Sequence, residues 1–229
     1  MDTPEEFVTS SFTRIIQGRT VVATCDRRLA EQVAWLLTTI EETADETSTR
    51  IHDAWTFELG FSVIVLVEHN NTLILCEPDF DDNPFEQVVE DISRSLWIAV
   101  MQREVCDITG TTAYSSSPRF DETVSLGKNA LEQERIIARR MKPRSSNGLS
   151  VQDSGWYIEH ATTLPDNHIS HTTPLYESRY LYELVQKRPM ILSILALPEQ
   201  YSVIIHGDEI EAVYDEHQKN VWHPYENKE

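Results

Sequence analysis

Apolar residues recur at helical spacing early in the chain and at every second position soon afterwards. The first series follows Asp26, a suitable N-cap, and predicts a helix over residues 27–41. The acidic, threonine-rich segment Glu41–Thr49 is predicted to be a loop. Between Trp55 and Val67 the alternation predicts one long strand, which reverses into a second strand over Leu73–Cys76. Its predicted buried face consists of Trp55, Phe57, Leu59, Phe61, Val63, Val65 and Val67.

A second helix is predicted over residues 84–104, because Asn83 is a good N-cap and proline suits the first helical position. Apolar residues then follow at helical spacing. The segment Thr109–Pro118 is rich in Thr, Ser and Gly and lacks periodicity, which is typical of a linker. We therefore predict two domains, residues 1–112 and 113–229.

The C-terminal half contains further helical and strand patterns. Leu126–Met141 is predicted to be helical, Gly155–Glu159 a strand, and Glu177–Lys187 a helix. Tyr201–His206 and Ile210–Tyr214 are predicted to pair across a Gly-Asp turn. The fold class predicted is α+β, with two small lobes, each a short, mostly antiparallel sheet packed with one or two helices.

The chain is strongly acidic, with 38 Asp and Glu against 19 Lys and Arg and a formal net charge of −19. Such a field repels nucleic acid and anionic membranes and attracts basic partners, although acidity also serves solubility. No signal peptide or membrane span is evident, because the N-terminus is acidic and the apolar runs are short. We expect a cytoplasmic protein that binds neither nucleic acid nor membranes.

The motifs of common enzyme classes are absent from the sequence. Its seven glycines form neither a dinucleotide fingerprint nor a phosphate-binding loop, and Ser154 lacks the glycines of a nucleophile elbow. Cys25, Cys76 and Cys106 are isolated in apolar segments, which favours buried, reduced thiols. No catalytic residue, metal ligand or cofactor is predicted. His160, His168 and His171 leave a metal site open as an alternative to a solvated loop.

Acidic residues concentrate at two places that could bind a partner. The predicted partner-binding residues are Glu77, Asp79, Asp81, Asp82, Glu86, Asp208, Glu209 and Glu211. The first group lacks the spacing of a calcium-binding loop, so docking of a basic protein and simple solvation remain the alternatives. A basic cluster is expected to pair within the molecule with the acidic lobe, and it consists of Arg135, Arg139, Arg140, Lys142 and Arg144.

The C-terminal strands carry a recognisable pattern. A strand opened by Gly155-Trp156-Tyr157-Ile158 and a hairpin over Tyr201–Glu216 resemble the domain of immunity protein family thirty-three. Such proteins are encoded beside toxins that bacteria deliver to competitors, with type VI secretion as one delivery route. The resemblance implies a cytosolic immunity protein that neutralises a cognate toxin with a basic surface through stoichiometric binding. The segment Ala161–Thr173 departs from the family's acidic, Gly-rich form, which suggests that partner specificity has diverged there.

Two other functions remain open at this point. One is a hydrolytic enzyme that uses a histidine of the 160–171 segment with Asp153 or Asp166. The other is a regulatory adaptor for a basic protein partner. The oligomeric state is not indicated by the sequence.

Overall fold

The computed structural model describes residues 8–111, 117–144, 151–161 and 176–224. The chain forms two compact units, Met1–Val100 and Met101–Glu229. The division falls inside one helix, so that helix contributes its first half to the N-terminal unit and its second half to the C-terminal unit. Each unit contains its own β-sheet.

The N-terminal unit is built on a mixed sheet. In chain order its elements are β1 (Thr9–Ile16), β2 (Arg19–Asp26), α1 (Ala30–Glu46), β3 (Thr56–Leu59), β4 (Ser62–His69), β5 (Thr72–Pro78), β6 (Val88–Val89) and α2 (Ser93–Thr109). The strand order is β1-β2-β5-β4-β3, and β6 pairs with β5. Among the described strands of this unit, β2 and β5 form the parallel pair and the other pairs are antiparallel.

Helix α1 buries its predicted apolar face against the sheet. Val33, Leu36 and Ile40 are fully buried, together with Val21 of β2 and Leu73 of β5. A 3-10 turn over 27–29 precedes the helix, and the Asp26 carboxylate accepts the Arg28 backbone N–H at 2.9 Å, which confirms the predicted cap. The helix runs to Glu46, so the loop predicted from Glu41 is wrong over its first six residues. Ala44 continues the buried face, and this burial extends the helix.

The long strand predicted over Trp55–Val67 is wrong. The chain reverses at Gly60, which has a φ of +55°, so two short antiparallel strands replace the single long one. On β4 the buried side chains are those of Ser62, Ile64 and Leu66, whereas the valines between them are half-buried. The turn therefore placed the opposite face of this strand against the core.

The helix predicted over residues 84–104 is also wrong at its start. The Asn83 carboxamide accepts the Phe85 N–H at 3.2 Å in a single turn, after which the chain forms β6. Helix α2 begins at Ser93, ten residues after Asn83. The Ser93 N–H donates to the Asp91 carboxylate at 2.9 Å. Asn83 and Asp91 thus each accept a nearby backbone N–H, as a helix cap does. The helix follows Asp91 because the side chains after Asp91 are buried.

The C-terminal unit contains a second mixed sheet. Its elements are β7 (Thr123–Gly127), β8 (Arg135–Arg140), β9 (Asp153–His160), β10 (Tyr176–Tyr180), α3 (Leu184–Lys187), β11 (Ser202–His206) and β12 (Glu209–Tyr214). Within the described residues the strand order is β10-β7-β9-β8-β11-β12, and β7 and β9 are parallel. A 3-10 segment over Pro189–Ile194 supplies buried aliphatic side chains. These two sheets with their few helices confirm the predicted α+β class with two lobes.

Predictions for the C-terminal unit succeeded for the hairpin and failed for the helices. Strands β9, β11 and β12 lie where expected, and Gly207 turns the hairpin with a φ of +59°. The helix predicted over Leu126–Met141 is wrong, because β8 is a central strand with Ile136, Ile137 and Ala138 buried on both faces. Such a continuous apolar run has no alternation to distinguish it from a helix. The helix predicted over Glu177–Lys187 is α-helical in its last four residues and begins as β10.

Several buried groups complete this picture. Cys25, Cys76 and Cys106 are all buried free thiols, as predicted. Trp156 is fully buried, and its indole N–H donates to the Leu195 carbonyl at 3.2 Å.

In the described parts of the chain, no helix combines the length and apolar character that crossing a bilayer requires. Residues 112–116 of the predicted linker lie outside the described residues.

Candidate functional site

The acidic loop, defined as residues 77–90, connects β5 to the start of α2. Its first predicted binding residue, Glu77, is buried inside the N-terminal unit with 4% of its surface exposed. The Glu77 carboxylate accepts the Ser95 backbone N–H, in the first turn of α2, at 2.6 Å. Burial raises the pKa of Glu77 to about 7, and the hydrogen bonds from Ser95 partly oppose this rise. Glu77 therefore anchors the loop to the helix and cannot contact a partner directly.

The raised pKa of Glu77 makes a prediction about stability. The folded protein keeps this carboxyl protonated up to about pH 7, whereas the unfolded chain ionises it near pH 4.5. The stability that Glu77 contributes is therefore full below pH 4.5 and is lost as the pH rises towards 7, by on the order of 3 kcal/mol. In Glu77→Gln this loss should be absent, so urea denaturation at pH 5 and pH 8 should give a flatter dependence than in the wild type. Glu86→Gln, an exposed control, should leave the dependence unchanged; equal slopes for all three proteins would contradict this role of Glu77.

The other acidic residues of this loop lie at the surface in a hydrogen-bonded arrangement. Asp79 is half-buried and accepts the N–H groups of Asp81 and Asp82 at 3.0 and 3.3 Å. Asp81 is exposed and forms a bidentate ion pair with Arg94 of α2, at 2.9 and 3.1 Å. Asp82 accepts the Gln87 side-chain amide at 3.0 Å, and Glu86 is exposed. The structure thus holds these four carboxylates on one ordered surface loop.

The second acidic group lies at the tip of the β11–β12 hairpin in the C-terminal unit. Asp208, Glu209 and Glu211 are all exposed. Glu211 accepts two hydrogen bonds from Arg135 of β8, both at 2.8 Å, and these bonds lower the pKa of its carboxyl. Its charge is consequently balanced within the molecule, so Asp208 and Glu209 carry most of the tip's negative charge.

The Asp-Ser-Gly-Trp segment at the start of β9 forms a bulge. The parallel partner β7 advances from Thr123 to Ser125 while β9 advances from Asp153 to Tyr157. The Ser154 hydroxyl donates to the Thr123 carbonyl at 2.7 Å and accepts the Trp156 N–H at 3.2 Å. Ser154 is buried, so it serves the backbone of the bulge and is not placed as a nucleophile. The pattern that carried the family resemblance is therefore structural.

Downstream of the bulge, one face of the sheet carries a polar and aromatic group that the sequence analysis did not identify. Glu159 forms an ion pair with Arg139 and accepts the Tyr176 hydroxyl at 3.1 Å. The rings of Tyr157 and Tyr176 meet edge to face at 5.4 Å, and the Arg144 guanidinium lies 5.1 Å from the Tyr157 ring centre. Burial and the Glu159 carboxylate raise the pKa of Tyr176 to about 12, so its hydroxyl remains a donor. Residues 139 and 144 had been recognised only as members of the basic cluster, because the pairing of β8 with β9 was not visible.

The residues of the alternative metal and hydrolytic sites lie only partly within the described part of the chain. Within the described residues, no group of three or more His, Cys, Asp or Glu side chains could hold a metal ion. His160 is exposed at the end of β9. Asp166, His168 and His171, which the alternative hydrolytic hypothesis offers beside His160 and Asp153, lie outside the described residues.

Comparison with known proteins places the C-terminal unit in a family. Among curated proteins and among solved structures, none matches this chain. A family model described as the Imm33-like domain matches residues 101–216, which is just over half of the chain. The match begins at the residue where the C-terminal unit begins and includes β7 to β12, which confirms the resemblance seen in the β9 and hairpin motifs. The chain therefore belongs to the Imm33-like family.

Proposed function

We propose that this protein is a cytosolic immunity protein that neutralises a cognate bacterial toxin by stoichiometric binding, without catalysis. The observation that carries the proposal is the family match over residues 101–216, which covers the whole C-terminal sheet. The absence of recognisable enzyme motifs from the sequence agrees with an inhibitor that acts by contact. Inhibition of this kind blocks or distorts the toxin's site and needs no chemistry from the inhibitor.

Charge supports a toxin with a basic surface as the partner. Residues 1–100 contain 19 acidic and 6 basic side chains, whereas residues 101–229 contain 19 acidic and 13 basic side chains. Most of the excess negative charge thus belongs to the N-terminal unit, which includes the acidic loop. A negative field of this kind accelerates the encounter with a basic protein and disfavours nucleic acid. We propose the exposed carboxylates of the acidic loop and the hairpin tip as the groups that steer the toxin.

The test starts from the reading frames next to this gene and takes as toxin candidate a protein that one of them encodes. Expression of that protein in a host should arrest growth, and co-expression of the full immunity chain should restore it. The purified pair should form a complex of fixed stoichiometry, and titration should abolish toxin activity at that ratio. Growth arrest that persists despite abundant soluble immunity protein would refute the proposal. Protection by a trace amount of the chain would instead indicate catalysis.

The charge distribution also predicts how binding depends on salt. Raising the salt concentration from about 0.05 to 0.5 M should slow association about tenfold, because screening weakens long-range attraction, and should change dissociation much less. Stopped-flow or surface-binding kinetics would measure both rates. An association rate that is indifferent to salt would remove electrostatic steering from the proposal and leave shape complementarity.

A further inference from the structure

The acidic loop displays two large apolar side chains among its carboxylates. Phe85 is 51% exposed and Val88 is 44% exposed, and they are three positions apart in sequence. The six large hydrophobic residues of high exposure in the described chain are Val8, Ile15, Trp35, Phe85, Val88 and Met141. Single exposed apolar residues are ordinary, but two on one short loop form a surface that gains from being covered.

We propose that Phe85 and Val88 form the centre of the contact with the toxin, and that they enter an apolar pocket bordered by lysine or arginine side chains. This inference rests on the proposed function. It adds the position of the contact and the chemistry of the toxin surface. Carboxylates that only steer the toxin would imply neither this position for the contact nor an apolar pocket on the toxin.

The loop combines apolar and charged side chains as protein interfaces do. Tight interfaces combine an apolar, aromatic centre with a polar rim, and a few central side chains contribute most of the affinity. Here the exposed carboxylates of Asp82, Glu86 and Glu90 provide the rim. Residues 77–90 contain six acidic side chains and no lysine, arginine or histidine. A complementary partner therefore has positive charge around an apolar depression, and an anionic polymer or membrane would be repelled.

The loop is also held in one conformation by contacts within the N-terminal unit. The Asp79 N–H donates to the Gln87 carbonyl at 2.9 Å, which closes the loop at its base. Within the loop, the side chain of Phe80 is buried, and its ring lies 5.8 Å from that of Phe61. Val88 belongs to β6, which pairs with β5. A loop that is already ordered loses little conformational entropy on binding, so exposed apolar area converts efficiently into affinity.

The decisive measurement is the dissociation constant of the toxin complex for Phe85→Ala, Val88→Ala and Trp35→Ala. Trp35 is a suitable control because it is an aromatic residue of the same unit with a comparable exposure of 45%. Phe85→Ala should raise the dissociation constant about 30-fold or more, chiefly through faster dissociation, and Val88→Ala by a smaller factor. Trp35→Ala should stay within about threefold of the wild type. Thermal melts should show that all three variants fold, since about half of each replaced residue's surface is exposed.

A charge-reversal variant separates the rim from the centre. Asp82→Lys with Glu86→Lys should mainly slow association, because these side chains border the apolar pair and repel a basic partner once reversed. Asp81 is left intact, since its pair with Arg94 stabilises the loop. If the wild type protects and folded Phe85→Ala protects and binds equally well, this inference is wrong while the immunity function stands. If the wild-type chain binds no toxin, both are wrong.

Discussion

Replacing Gly155 by alanine is expected to lower the free energy of unfolding of the C-terminal unit by about 4 kcal/mol, or to prevent its folding. Gly155 has a φ of +77°, a conformation that costs an L-residue about 1 kcal/mol or more. In addition, a methyl group at this position would lie 2.2 Å from the Met141 carbonyl oxygen. Relief of that clash requires the backbones to separate, which would break the bond from the Met141 N–H to the Gly155 carbonyl at 2.8 Å.

The matched control for this change is Gly207→Ala in the same sheet. Gly207 also has a positive φ, +59°, but a methyl group there meets no atom within 4 Å. This variant should lose only about 1 kcal/mol, the cost of the backbone conformation. Urea denaturation followed by circular dichroism would measure both variants. Equal losses for Gly155→Ala and Gly207→Ala would show that the close approach of Met141 is unimportant.

The second large effect is expected at Arg188, which should lose about 4 kcal/mol of stability when replaced by methionine. Arg188 is 7% exposed, and its guanidinium donates to four backbone carbonyls. These acceptors belong to Leu131, Gln133, Glu134 and Gly207. Burial lowers the pKa of Arg188, so the residue bears a desolvation cost that its hydrogen bonds offset. Methionine would fill the volume but leave those carbonyls without their donor.

Arg103 offers the matched comparison, because its side chain is 73% exposed and pairs with Asp107 one turn along α2. Arg103→Met should change stability by less than about 0.5 kcal/mol. Arg188→Lys should recover only part of the loss, since an ammonium group lacks the planar fork that reaches several carbonyls. If Arg188→Met unfolds at the same urea concentration as the wild type, the carbonyls must find other donors and the anchoring role is refuted.

Both residues show how the C-terminal sheet positions its surfaces. Gly155 allows β9 to bulge so that Trp156 is buried and Tyr157 lies on the opposite face with Tyr176. Arg188 fixes the turn at Gly207 and with it the acidic tip of the hairpin. The Gly-Trp motif of β9 therefore serves backbone geometry and core packing.

Local chemistry was enough to predict the elements that are fixed by short-range signals. The cap at Asp26 and the apolar face of α1 follow from spacing, and so does the hairpin turn at Gly207. The family pattern over β9 to β12 was likewise visible, because a glycine with positive φ and a buried tryptophan leave a recognisable motif. The buried thiols followed from their apolar neighbours. In each case the residues that determine the structure lie within a few positions of one another.

The tertiary structure decided which face or segment becomes buried wherever the local pattern allowed more than one answer. The alternation over Trp55–Val67 was real, but the turn at Gly60 reversed the chain and put the other face of β4 in the core. The apolar run at Ile136–Ala138 became a central strand because β9 and β11 flank it. Among the acidic residues, only packing shows that Glu77 is buried against α2 while Phe85 and Val88 remain exposed. The physical reason is that burial at these positions is a property of the assembled sheet and helices, which the local pattern of charge and hydrophobicity does not specify.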